Sequence, residues 1–227
     1  MGKKVLVVDM DPQASLTVGF GLEPEALEKT MYDVLLNNYP IKDLAQSVRE
    51  NIDIAPTNIT LSAAEIDLNN KYRREDKLLV ALDAVKDDYD FIFIDCPPSL
   101  GIFTINSFSA ADGVVVPMAC TYYSLIGIKL LFDTLDGIRE EINQDLNVLG
   151  VLPTMYDRRT KHSKEVLETV KIQLDGHVNV FDTTIRVAVK MQEAPIRGQT
   201  ITEYSPAHAS AQDYRDFATE LLNLKHE

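Results

Sequence analysis

A chain of 227 residues that is 45% apolar is long enough for one α/β domain with a sizeable core. A formal net charge of −13 opposes wholesale nucleic-acid binding, so any such contact requires a local basic patch. Two cysteines at unrelated spacing exclude a disulfide framework, and no apolar run reaches the ~20 residues of a membrane span. The start is a charged pair before a short strand rather than a signal peptide, so the expected location is cytoplasmic.

Val5-Leu6-Val7-Val8 is a run of apolar β-formers, read as a strand buried on both faces of a parallel sheet. Asp9 and Asp11 follow, two apart and so pointing the same way in extended chain, before Pro12 stops the ladder. Residues 15–28 are expected to form a loop. Thr30 is placed to cap a short helix from Met31 to Asn37. Ile52 to Ala55 reads as a strand, and Leu61 to Leu68 as a helix opened by Thr60. Glu75 to Lys86 reads as a helix with Leu78, Leu79, Leu82 and Val85 as its apolar positions. Asp87, Asp88 and Asp90 form the solvated turn before a second apolar strand, Phe91-Ile92-Phe93-Ile94-Asp95, which Pro97-Pro98 closes.

Ser99 to Ala110 is predicted helical, with Ile102, Ile105 and Phe108 inward, and Gly113 to Met118 is a buried strand. Ser124 to Ile142 is a long amphipathic helix, and Leu146 to Leu152 a strand ending at Pro153. Lys161 to Leu174 is a helix, Val178 to Phe181 a short strand, and Ala209 to Leu224 a closing helix. Strands alternating with helices predict a doubly wound, mostly parallel sheet in a single domain, residues 1–227.

In such a sheet, ligands sit beyond the carboxyl ends of the strands. Two carboxylates there suit a hydrated metal, or one metal anchor and one group that positions water. The alternative is a pair of solvated loop acids. A hydrophobic strand closed by an acid, as at Asp95, is the Walker-B pattern, in which the acid holds Mg²⁺ through water.

The runs VLVVDMDPQASLTVGFG, YDFIFIDCPPSLGIFTINSFSAADGVVVPMACTYYSLIG, LGVLPTMYDRRT and EAPIRGQTITEYSP occur in that order. Together they resemble the ParA/Soj-type ATPases of the ParA/MinD group over nearly the whole chain. The resemblance implies a P-loop NTPase fold that binds ATP and Mg²⁺ and forms a nucleotide-dependent homodimer. It further implies non-specific DNA binding and a ParB-like partner that stimulates hydrolysis. By residue, it implies Asp11 for orienting the attacking water and Asp95 for the metal. Thr154, Met155, Pro195 and Ile196 match segments that line the adenine pocket. Arg158, Arg159, Arg186 and Lys190 fall in the late basic region that meets DNA, where charge alone gives strongly salt-dependent contacts. Asp9 is expected to be structural, bonding a neighbouring turn.

One departure weighs against activity. The family begins with a strand, a phosphate loop of the type K-G-G-x-G-K-T-T and a helix. No G-x-x-x-x-G-K-[ST] run occurs in these 227 residues: Gly2-Lys3 is followed by Lys4. The chain is therefore expected to lack the first strand–P-loop–helix unit and to hydrolyse ATP poorly, because the phosphate cradle is the main electrostatic stabiliser of the transferring group. Loss of that central strand also exposes the edges of its two neighbours. The alternative is a non-catalytic remnant that dimerises with or regulates a full-length relative.

Cys96 and Cys120 raise an iron–sulfur reading, since a dimer would supply the four thiolates a cluster needs. The resemblance disfavours it, because ParA-like chains carry various small residues at the first position. The last helix carries Asp213, Asp216 and Glu220 where a membrane-targeting helix carries basic residues, so it is read as packing on the sheet.

Overall fold

The computed structural model describes residues 1–224, the side chains of residues 122, 123, 125, 126 and 129 excepted. The chain divides into two compact units. One comprises residues 1–111 with 141–143 and 195–198, and the other comprises 112–140, 144–194 and the residues from 199 on.

In the first unit, β1 (Val5–Asp9) leads into the short helix α1 (Ser15–Gly19), then α2 (Met31–Asn37) and α3 (Ile41–Leu44). There follow β2 (Gln46–Arg49), β3 (Ile52–Ala55), α4 (Leu61–Leu68), α5 (Lys77–Asp83), β4 (Phe91–Asp95) and α6 (Ile102–Ala110). The sheet order is β2-β3-β1-β4. β1 runs parallel to β3 and to β4, and only β2 is antiparallel. A mostly parallel α/β fold is what the alternation of elements predicts.

The strand period puts Leu6, Val8, Ile92 and Ile94 on one face, under Met31, Val34, Leu35, Leu61, Leu78, Leu82 and Phe103. Burying a leucine or valine of this kind contributes roughly 1.5–3 kcal/mol. Thr30 caps α2 as expected. Its hydroxyl accepts from the Tyr32 amide, while Asp33 reaches back to the Thr30 amide, a reciprocal capping box. Asn143 anchors α6 from its far end, its side-chain amide donating to the carbonyls of Phe108 and Ala111 at 2.9 Å each.

The second unit holds β5 (Gly113–Ala119), α7 (Tyr122–Glu141), β6 (Asn147–Thr154), α8 (Lys161–Leu174), α9 (Val189–Ile196, whose last two residues lie in the first unit), α10 (Ile201–Tyr204) and α11 (Ala209–Leu224). β5 and β6 form a parallel two-stranded sheet of their own. Val116, Val151, Val166 and Val170 fill one core there, and Leu152, Phe181 and Ile185 another, against Phe217 and Leu221 of α11. Phe181 and Phe217 meet edge to face at 5.1 Å.

Several local expectations change. Residues 15–28 hold a helix and a 3₁₀ turn rather than a plain loop, because the carboxylate of Asp9 collects the amide of Thr17 and fixes the chain there. The helix expected from Glu75 to Lys86 is α-helical only over Lys77–Asp83, with 3₁₀ turns on either side, and Leu79 is exposed. Thr60 makes no cap; Asn58 accepts from its amide and its hydroxyl instead. Val178 to Phe181 is a single bridge to Val151, not a strand. The acids before β4 are not merely solvated: Asp88 pairs with Lys42, and Asp90 with Lys3 and the Lys4 amide.

Candidate functional site

Adjacent parallel strands bring the acids together. Asp9 and Asp95 are register partners at the carboxyl ends of β1 and β4, and the Asp95 carbonyl accepts from the Met10 amide at 2.9 Å. Asp11 leaves the same strand end two residues on. The Asp95 carboxyl is pushed up to about 6, first by burial and then by the neighbouring charges of Asp9 and Asp11. No ion pair forms at Asp9, Asp11 or Asp95 among the described residues, so three acids share one strand-end without a counter-charge.

Asp9 is fully buried and makes the local framework. Its Oδ2 accepts from the Thr17 amide at 2.9 Å and from the Thr17 hydroxyl at 2.7 Å, and its Oδ1 accepts from the Asp11 amide at 3.2 Å. Thr17 Oγ1 in turn accepts from the buried Thr57 amide at 3.1 Å. The end of β1, the helix α1 and the turn after β3 are thus tied through one carboxylate. Burial raises the Asp9 pKa, and the Thr17 and Asp11 hydrogen bonds oppose that rise.

Asp11 does not cap Ser15 or Thr17. Its Oδ1 accepts from the Gln13 amide at 2.9 Å, which tightens the turn at Pro12, and among the described residues Oδ2 accepts no hydrogen bond. Thr17 and Thr57 were not singled out as site residues from sequence. Their only signal is the position of Thr17 within the DPQASLTVGFG run.

The donor chemistry suits a hard divalent cation that keeps most of its water. Two carboxylate tips without a counter-charge can hold such an ion through its hydration shell, as Mg²⁺ is commonly held. They do not form a cage: among the described residues no group of three or more His, Cys, Asp or Glu side chains is arranged to hold a metal ion. Cys96 and Cys120 are free thiols, each pushed up to about 11 chiefly by burial, which disfavours the thiolate that ligation requires.

The other predicted residues are placed as follows. Thr154 ends β6, its carbonyl accepting from the Cys120 amide, and Met155 is 66% exposed in the left-handed region at φ 49°. Pro195 and Ile196 belong to the first unit, where Ile196 is exposed and the Pro195 carbonyl accepts from the Gly198 amide. Gly198 lies against Gly21 at φ +61°, and a Cβ there would stand 2.6 Å from the Gly21 Cα. That contact joins the EAPIRG and VGFG runs backbone to backbone.

Arg158 is exposed. Arg159 forks onto Asp157 at 2.9 and 2.8 Å and holds that carboxyl down at about 2. Arg186 forks onto the nearly buried Asp213 at 2.7 and 2.6 Å, and Lys190 donates to Ser205. Two of the four cations therefore have their charge met internally. The acids of α11 are used in packing: besides Asp213, Glu220 accepts from the Asp182 and Thr183 amides.

A mostly parallel α/β sheet with paired acids at its strand ends places a ligand site beyond the carboxyl ends of β1 and β4, and the similar solved structures are of the P-loop NTPase type. The family model for the AAA domain matches residues 1–148. The chain is 42% identical over 222 residues to the sporulation initiation inhibitor protein Soj of Bacillus subtilis, covering 97% of this chain and 87% of that one. It is 34% identical over 229 residues to the chromosome partitioning protein ParA of Caulobacter vibrioides, covering 100% and 85%. The crystal structure of cobyrinic acid a,c-diamide synthase from Mycobacterium smegmatis with bound ADP and magnesium is similar at a TM-score of 0.77 and 34% identity, covering 87% of this chain and 78% of that one. The chain belongs to the ParA/Soj family. Among the described residues no helix is long and apolar enough to cross a membrane.

Proposed function

We propose that this chain works as a ParA-type partition ATPase scaffold in the cytoplasm, with Asp95 holding Mg²⁺ through water and Asp11 orienting the water that attacks ATP. The observation that supports the reading is the pairing of β1 with β4, which makes Asp9 and Asp95 register partners and brings the Asp11 charge near enough to raise the Asp95 pKa. Bound Mg²⁺ would supply charge neutralisation for the phosphate oxygens. The chain's own contribution is positional. Asp9 fixes the turn that carries Asp11, and Asp11 Oδ2, which accepts no hydrogen bond among the described residues, can accept one from water. A nucleotide-dependent homodimer forms on bound ATP, and a ParB-like partner stimulates hydrolysis.

DNA contact on this reading rests first on Arg158, because Arg159 and Arg186 are neutralised by Asp157 and Asp213. The 227 residues contain no G-x-x-x-x-G-K-[ST] run, so ATP affinity is expected to be weaker than micromolar and turnover indistinguishable from background. Isothermal titration of the purified chain with Mg-ATP tests this. Micromolar affinity contradicts the predicted deficiency. Mg²⁺ binding that Asp95→Asn leaves unchanged contradicts the assignment of the acids.

A further inference from the structure

We propose that Arg49 is a positioning residue for Asp11: it pins residues 195–198 against the end of α1, so that this segment and the turn carrying Asp11 shift as one body. The role presupposes that Asp11 orients the attacking water, as proposed above. Arg49, Phe20, Gly21 and residues 195–198 all belong to the first unit.

Arg49 closes β2, the antiparallel strand of the sheet, and is half-buried. Its Nη1 donates to the carbonyl of Val48 on its own strand at 2.7 Å, which fixes the plane of the guanidinium. Its Nη2 donates to the Gly198 carbonyl at 2.6 Å, 149 residues further along the chain. The guanidinium carbon lies 5.9 Å from the centre of the Phe20 ring, at the end of α1. A charged donor makes the stronger kind of hydrogen bond, and a cation over an aromatic face adds attraction. One side chain therefore holds both Gly198 and Phe20.

The glycines decide how closely the two pieces meet. Gly21 at φ +85° and Gly198 at φ +61° both occupy the left-handed region. A Cβ on Gly198 would also stand 3.2 Å from the Gly21 nitrogen, so any side chain there pushes the segment off α1. The contact is backbone on backbone, with no flexible side chain between to absorb a displacement.

From Gly21 the path to Asp11 is hydrogen-bonded at each step. The Gly21 amide donates to the Val18 carbonyl, and the Leu22 amide donates to the Thr17 carbonyl at 3.2 Å. The Thr17 amide and hydroxyl donate to Asp9, whose other oxygen accepts from the Asp11 amide. A displacement of residues 195–198 therefore reaches Asp11 through α1 and Asp9.

Amide hydrogen exchange on the purified chain, read by NMR without nucleotide, tests the link. Arg49→Ala should speed exchange at the Thr17 and Asp11 amides by about tenfold or more, while the amide of Val8, buried within β1, changes by less than about twofold. Arg49→Lys keeps a charged donor for the Gly198 carbonyl and should recover most of the protection. Gly198→Ala, which leaves Arg49 in place, should reproduce the Arg49→Ala pattern. Coupling is reciprocal, so Thr17→Val should speed exchange at the Gly198 amide, which donates to the Pro195 carbonyl, more than at Val8. Exchange that rises alike at Thr17, Asp11 and Val8 would make Arg49 a general support and overturn the proposal. So would unchanged exchange at Thr17 and Asp11, an Arg49→Lys protein as fast as Arg49→Ala, or a Gly198 amide that Thr17→Val leaves no faster than Val8. No nucleotide enters these measurements, so they can fail with the ATP reading intact, and a failed Mg-ATP titration leaves the link standing.

Discussion

Asp9 shows how one buried carboxylate can set the geometry of two others. It spends both oxygens on Thr17 and on the Asp11 amide, so its work is to hold the turn. Thr17→Val removes one of the two donors to Asp9 Oδ2 and leaves the buried Thr57 amide without its acceptor, which should cost about 1–3 kcal/mol, read as a lower midpoint in urea. The acids also set a pH dependence. Asp95 ionises near 6 in the fold against 3.8 for an ordinary aspartate. Folding therefore favours its protonated form, and that contribution is full below about 3.8 and is lost as pH rises through about 6. Asp95→Asn should flatten the stability profile between those values. Because the carboxyl still meets solvent, screening limits the gain at pH 7 to about 1 kcal/mol. Denaturant titrations at pH 4.5 and pH 7 check the sign.

At the scale of elements, most strands and helices are legible because their signals are local. Thr30 and Asp33 announce α2, and four apolar β-formers ending in an acid announce β1 and β4. The misses have a common cause in contacts distant in sequence. Helix α1 forms because Asp9 reaches eight residues forward, and β2 exists by pairing with β3. Short helices such as α9 and α10 carry too few turns for a period to show. The acids were legible as a pair, but the Asp9–Thr17–Thr57 chain was not, since nothing in a single sequence marks a threonine as an acceptor.

The link between the Arg186 segment and α11 is equally invisible from spacing. Arg186→Ala should cost about 3 kcal/mol by stranding the buried Asp213. It would then lower any DNA affinity through stability alone. Arg158→Glu is the clean test: it should weaken DNA binding and reduce its salt slope while leaving the melting temperature within a degree or two.

At the scale of the molecule, three acids gather at the strand ends of a sheet whose last strand, β4, has one neighbour among the described residues. The residues pack as two compact units, one holding the four-stranded sheet and the other β5 and β6. Strand partners were hard to read because β4 and β5 are each as apolar as an interior strand, and nothing in their sequences states which edge is paired.

The most direct test of the shared acidic strand-end is a carbon-13 NMR titration of the Asp95 carboxyl, in the unaltered chain and in Asp11→Asn. The account predicts a midpoint near 6 that falls when the Asp11 charge is removed. A midpoint at the ordinary aspartate value, or one that Asp11→Asn leaves in place, would contradict it.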